Sequence, residues 1–104
     1  MKNMKDIKNH DELVDELTGI LLEYDKYDMV LPKYHYKVGN IEGEVDVLTY
    51  NEKRDIWHFY EVKTTWHEGS KKRAKKQYKR FCKAFNDRRV KGVYYSNNEI
   101  GRLR

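Results

Sequence analysis

Two acidic residues interrupt apolar runs in the stretch GEVDVLTYNEKRDIWHFYEVKTT, Gly43 to Thr65. Asp46 lies between Val45 and Val47, and Glu61 lies between Tyr60 and Val62 with Lys63 just beyond. Charges are seldom buried unless they are paired or hold a metal. If both runs are strands joined by a turn near Lys53-Arg54, Asp46 falls opposite Glu61, Glu44 opposite Lys63, and Leu48 opposite Phe59. On regular strands Glu42, Glu44, Asp46 and Leu48 share one face, with Val45 and Val47 on the other. Trp57, Phe59, Glu61 and Lys63 likewise share a face, and Ile56, His58, Tyr60 and Val62 take its reverse. Facing carboxylates repel. A lysine beside them gives partial relief, and a hard divalent cation gives more, because Mg²⁺ favours carboxylate and water oxygens. The spacing reads as a metal-binding hairpin; the alternative is a same-face ion pair turned to water.

No other residue type has the spacing of a reactive centre. The four histidines show no metal-ligand spacing, and His58 is expected on the face away from the acids, in a structural role. Cys82 is the single cysteine, which excludes an internal disulfide and a four-cysteine metal site within one chain. It reads as a small core hydrophobe.

The elements that must position these groups follow from periodicity. Asn9 followed by Glu12 resembles a helix cap with its reciprocal acid. Leu13, Val14, Leu17, Ile20, Leu21 and Tyr24 then form one apolar stripe at helical period. Met29 to Val38 reads as a strand, with Pro32 marking an edge or a bulge. Gly39-Asn40 turns the chain into a second strand, Ile41 to Tyr50. After NEKRD comes a third, Ile56 to Thr65. SKKRAKKQYKRFCKAF, following Gly69-Ser70, is a second amphipathic helix with the stripe Ala74, Tyr78, Phe81, Cys82 and Phe85. Val90 to Tyr95 closes as a short strand, and SNNEIGRLR carries no strong signal. The expected fold is a single α/β (α+β) domain spanning residues 1–104. Its order is αβββαβ, with a mixed sheet flanked by helices and a core over about residues 9–95.

Charge is segregated along the chain. Residues 1–69 hold nine Lys/Arg against fifteen Asp/Glu, and residues 70–104 hold thirteen against two. That division suits one region attracting polyanion and another holding metal, or a plainly solvated helix face. Lys71, Lys72, Arg73, Lys75, Lys76, Lys79, Arg80 and Lys83 are the candidate phosphate contacts, followed by Arg88, Arg89 and Lys91. Such contacts give affinity without sequence specificity. No apolar run approaches ~18 residues, so no membrane span is expected. MKNMKDIKNH lacks an apolar signal core, so an intracellular, cytoplasmic protein is expected.

GEVDVL, YEVKTT and KKQYKRF together resemble the PD-(D/E)XK nuclease superfamily, most closely its archaeal Holliday junction resolvase-like and RecB-like branches. The resemblance covers about residues 9 to 95. It implies a restriction-endonuclease-like core and hydrolysis of DNA phosphodiester bonds, with branched DNA the leading substrate and a homodimer the working form. In place of the proline-aspartate pair that names the superfamily, this chain has Val45-Asp46. By the match Asp46 is the first strand acid, Glu61 and Lys63 are the paired acid and lysine, and Gln77 is the glutamine of the following helix. Asp46, Glu61 and the Val62 carbonyl would bind Mg²⁺ or Mn²⁺, with Lys63 serving the attacking water or the phosphate.

Such nucleases also carry a glutamate in the first helix, and Glu12, Glu16 and Glu23 are available. At about 100° per residue, Glu16 lies nearest the edge of the apolar stripe, so it is the expected further metal ligand, with a solvated flank residue as the alternative. Two other functional classes remain open: a non-catalytic nucleic-acid-binding module, and an interaction protein using its acidic N-terminal part. Within the nuclease reading, single-stranded and nicked DNA also stay open as substrates.

Overall fold

The computed structural model describes residues 7–103. Residues 1–6, part of the segment read above for a signal core, lie outside them. Two helices and five strands follow in the order α1 (His10–Glu23), β1 (Met29–Val38), β2 (Ile41–Asn51), β3 (Ile56–Val62), α2 (Glu68–Ala84), β4 (Val90–Tyr95) and β5 (Ile100–Leu103). The strands form one mixed sheet in chain order. The β1–β2, β2–β3 and β4–β5 pairs are antiparallel and β3–β4 is parallel, with α2 as the crossover. No helix among the described residues is long and apolar enough to cross a membrane.

Each helix covers one face of the sheet. Leu13, Val14, Leu17 and Leu21 of α1 pack on Val47, Tyr60 and Val62. Ala74 and Phe81 of α2 pack on Val45, Leu48, Phe59, Tyr94 and Leu103. The α1 stripe is narrower than its sequence pattern, since Ile20 and Tyr24 stand about half exposed. In place of the expected start at Ser70, α2 begins at Glu68. His67 serves as its N-cap, accepting at Nδ1 from the Gly69 and Ser70 N–H groups (3.1 and 3.4 Å), while Ser70 Oγ accepts from the His67 N–H. The reciprocal cap of α1 is formed by Asn9 and Glu12, as its sequence pattern indicates.

The turn near Lys53-Arg54 sets the expected register as far as Val47, and the ladder stops before the expected Asp46–Glu61 and Glu44–Lys63 pairs. Leu48 pairs with Phe59 and Val47 with Tyr60. At the hairpin's other end Gly39 adopts a φ of 59°, a left-handed conformation that glycine enters without a Cβ penalty. Beside it Tyr36 lies across Gly43, where a Cβ would meet the tyrosine oxygen at 2.6 Å.

Regular alternation fails at one point. The β1–β2 pairs run from Met29↔Tyr50 to Val38↔Ile41 but skip Lys33 and Asp46. Lys33, directly after Pro32, has a φ of 52°, an unfavourable backbone region for a side-chain-bearing residue. Both strands slip their facing there together. Val45 and Leu48 therefore pack under α2 while Val47 packs under α1, so Val45 and Val47 do not share a face as regular pleating would have it. Beyond the break the hairpin curls onto α2, bringing the Tyr36 ring to 5.3 Å from Phe81 and 5.7 Å from Phe85.

Two further expectations are corrected. β3 ends at Val62 instead of Thr65, because its antiparallel partner has turned away. The tail contributes a fifth strand, so the order is αβββαββ. The turn at 96–99 explains why that strand forms. Ser96 Oγ accepts from Glu99 N–H and donates to Glu99 O, closing the chain back on β4.

Candidate active site

The break in β2 and the end of β3 create the site. Where β2 bends away, the Val62 N–H loses its ladder partner and donates instead to Asp46 Oδ2 at 2.7 Å. That bond draws the carboxylate into the sheet, where Asp46 is 8% and Glu61 2% exposed. The two carboxyls lie within hydrogen-bonding reach of each other. Burial first, and then Asp46, hold the Glu61 carboxyl well above the usual carboxylate range, with Lys63 opposing the shift and Glu44 adding to it. Two anions cannot sit this close in a poorly solvated place, so without a cation the pair retains a proton. Glu61 Oε2 is buried with no hydrogen-bond partner.

Lys63 and Gln77 meet as well. Lys63 Nζ donates to Gln77 Oε1 at 3.1 Å, so α2 holds the lysine at the end of β3, on the face that carries Glu61. The Lys63 N–H donates to Tyr95 O at 3.1 Å, tying the residue to β4. The segment that follows is clamped by the 96–99 turn. The Asn97 side chain bonds Thr64 O and both backbone groups of Lys8, and Asn98 Oδ1 accepts from Trp66 N–H. The turn thereby ties the chain after Lys63 to the chain entering α1.

The α1 side chain that meets Asp46 is His10, and Glu16 has other partners. Glu16 accepts from the Tyr95 hydroxyl and pairs with Lys8 at 2.7 Å. It sits on the α1 face, whereas Glu61 and Lys63 face α2. Glu12 is occupied by its cap, and Glu23 is exposed at the far end of the helix. His10 instead reaches Asp46, with Nε2 3.3 Å from Oδ1. The sequence reading missed it because histidine spacing was judged along the chain. The useful signal was its place in the first turn of a helix packed on β2.

The donor set suits a hard divalent cation: two neighbouring carboxyls, one with an oxygen lacking any partner, beside backbone at Val62. Among the described residues no group of three or more His, Cys, Asp and Glu side chains is arranged to hold a metal. A cation here would take its remaining ligands from backbone, water or substrate.

The cationic residues of α2 lie outside its buried stripe. Lys72, Arg73, Lys76, Lys79, Arg80 and Lys83 are exposed, and Lys71 and Lys75 half-buried. Lys76, Lys79, Arg80 and Lys83 line a cleft of about 470 Å³ with Asn40, Ile41 and Glu42 of the curled hairpin. Arg80 acts electrostatically on Tyr36, which also senses Glu61, so positive charge extends from the cleft towards the carboxyl pair. Cys82 is half-buried, its thiol raised in pKa by burial and in contact with the Tyr78 hydroxyl. Comparison with protein-family models, with curated proteins and with solved structures found no match to this chain.

Proposed function

We propose that this protein is a Mg²⁺- or Mn²⁺-dependent DNA endonuclease with a restriction-endonuclease-like core, hydrolysing phosphodiester bonds and selecting branched DNA by shape. The observation that carries the reading is the buried Asp46–Glu61 pair. It sits at the end of β3 with an unpartnered carboxyl oxygen, next to a lysine held by the cationic helix. Burying two acids in contact destabilises a small domain unless another role compensates.

Asp46 and Glu61 are the residues that hold the cation, with the Val62 carbonyl beside them. The bound ion supplies a Lewis acid for a phosphate oxygen and a water of lowered pKa. Asp46 is fixed for this by the Val62 N–H on Oδ2 and by His10 at Oδ1. Lys63 has three ammonium donors. Gln77 takes one, and the other two face a phosphate or the water attacking it, offsetting the charge that builds there. Gln77 is a positioning residue. Glu16 has no part in holding the cation in this reading. The α2 cations and the hairpin cleft bind the flanking backbone without reading bases, and a homodimer would present two such sites to two strands.

A non-catalytic nucleic-acid-binding protein on the same scaffold is the second reading, favoured by the lack of a third side-chain ligand among the described residues. The test is cleavage of four-way junction, flap, single-stranded and plasmid DNA by the purified protein in Mg²⁺ against EDTA. Mg²⁺-dependent cutting, most efficient on branched DNA, is the expected result. A protein that binds these substrates but cuts none would establish the second reading.

A further inference from the structure

The sheet face under α1 is only partly covered. His58, Tyr60 and Val62 of β3 alternate onto it, and the β4 and β5 residues paired beside them extend it outward. Beyond the reach of the helix two clefts open there, of about 170 and 290 Å³, with His58 and Lys91 in the wall of both. Lys26 and Arg54 line the first and Arg102 the second.

No acidic residue lines either cleft, although the chain carries seventeen. The nearby acids Asp25, Asp28 and Glu52 line an adjoining cleft that shares Lys26, Tyr27, Asn51 and Arg54 with the first, and Asp28 is engaged there through Oδ2 by the Glu52 N–H. Among the described residues Lys26, Arg54, Lys91 and Arg102 enter no ion pair. Aromatic surface lies among these cations. Tyr24 is 49% exposed, with its ring 5.9 Å from that of Tyr27 and the Lys26 ammonium 5.4 Å from its centre. Cations interleaved with available rings track a single strand, since phosphates pair with the cations and unstacked bases cover the rings.

We infer that this trough binds a single-stranded nucleic-acid arm, as a second contact on the sheet face opposite α2. The two surfaces join round one end of the sheet. Exposed Arg88 and Arg89 follow α2, and Arg89 Nη1 donates to Arg54 O at 3.0 Å. The domain is only 20 Å across its shortest axis. A straight duplex meets one face or the other, whereas a flexible strand leaving a duplex on α2 can turn round the end into the trough. The inference rests on the α2 contact of the proposed function and narrows its substrate to branched or tailed DNA. It does not depend on catalysis.

The experiment compares a blunt duplex with the same duplex bearing a single-stranded tail of about 15 nucleotides, a length matched to single-strand site sizes. Affinity is read by fluorescence anisotropy in EDTA. The parent protein should bind the tailed DNA roughly tenfold more tightly, the scale of a stacked base and a few phosphate contacts. The double variant Lys91→Ala/Arg102→Ala and, separately, Tyr24→Ala should lose most of that advantage while binding blunt duplex as the parent does. All three positions are exposed, and unchanged circular dichroism checks the fold. Equal parental affinity for blunt and tailed DNA overturns the inference, as does an unaltered tail advantage in both variants. Cleavage in Mg²⁺ is scored separately. Tail binding lost in the variants of a protein that never cuts supports the trough and sinks the nuclease. Cutting by a protein indifferent to the tail does the reverse.

Discussion

β3 presents two polar surfaces, and they are built on opposite principles. On its α1 face the Tyr60 and Tyr27 hydroxyls bond each other at 2.8 Å, and His58 packs edge-on to Tyr27 at 5.5 Å. Burial pushes the Tyr60 phenol far up and the His58 imidazole down, so both groups stay neutral. On its α2 face Glu61 and Lys63 lie beside Asp46 and Gln77, and two of those four groups are acids in contact. The two hydroxyls satisfy each other and cost little to bury, although His58 Nδ1 beside them is buried without a partner, whereas paired acids strain the fold unless a proton or a cation intervenes. One face contributes stability, and the other holds a site at stability's expense.

The sharpest way to break that contrast is to neutralise the acids. Asp46→Asn and Glu61→Gln should each abolish Mg²⁺-dependent cleavage, a loss of at least about a thousandfold as an anionic metal ligand disappears. Glu61→Gln should also raise the melting temperature at neutral pH, since an amide needs no proton taken up on folding. Lys63→Ala should abolish cleavage yet leave calorimetric Mg²⁺ binding intact. Parental cleavage by Asp46→Asn would place any nuclease activity elsewhere.

Next in size is the α2 surface. Replacing Lys72, Lys76 and Lys79 with alanine should weaken binding to every DNA. The salt slope should fall by roughly 2–3 as three phosphate contacts go. Helicity should persist, because these residues are exposed and alanine suits a helix. An unchanged affinity at low and high salt would reduce these lysines to a solvated face.

Much of this arrangement was legible in the sequence. The spacing from Asp46 to Glu61 and the turn at 52–55 fix the register as far as Val47 and Tyr60, which brings the two acids near each other; the bond from the Val62 N–H then seats Asp46. The slip at Lys33 and Asp46 was not legible as such, because a left-handed residue leaves no pattern beyond Pro32 before it. Its consequences were hidden with it: Val45 under α2, the curl of the hairpin, the early end of β3. The fifth strand was missed because four residues, Gly101 among them, are too short a run to show an alternating pattern. It forms through pairing with β4 and the Ser96 turn, both tertiary facts. The bond from the Tyr95 hydroxyl to Glu16 was not legible, because helical angle gives a direction round the axis and says nothing of which strand lies there.

A smaller effect sharpens the α1 side. Tyr60→Phe leaves the half-buried Tyr27 hydroxyl without its partner and should cost about 0.5–1.5 kcal/mol by denaturant unfolding. Tyr27→Phe should cost a similar amount. The double variant should lose less than the sum of the singles, as for any pair whose bond is already broken by either change. Strict additivity would mean that the hydroxyls act independently, and the contrast between the faces would weaken.

The smallest and most diagnostic effect is the response to pH, because the two faces should answer acid with opposite signs. Glu61 has a folded pKa above its ordinary 4.5. Above that pH the native state binds more protons than the unfolded chain, so stability falls as pH rises. His58 has a folded pKa below its ordinary 6.5, chiefly through burial and then through Lys91. Below 6.5 the unfolded chain binds the extra proton, so stability falls as pH drops. The two slopes oppose each other just below 6.5, where both groups bind protons differently in the two states. In EDTA, Glu61→Gln should flatten the decline towards neutral and alkaline pH, and His58→Gln should flatten the decline on the acid side. Mg²⁺ should raise the parent's melting temperature more as pH rises, since a cation binds the ionised pair and must displace the proton that Glu61 otherwise keeps. That gain should vanish in Glu61→Gln. An equal Mg²⁺ effect in parent and variant would mean that the ion binds elsewhere, and the buried acids would then be a proton-sharing pair and not a metal site.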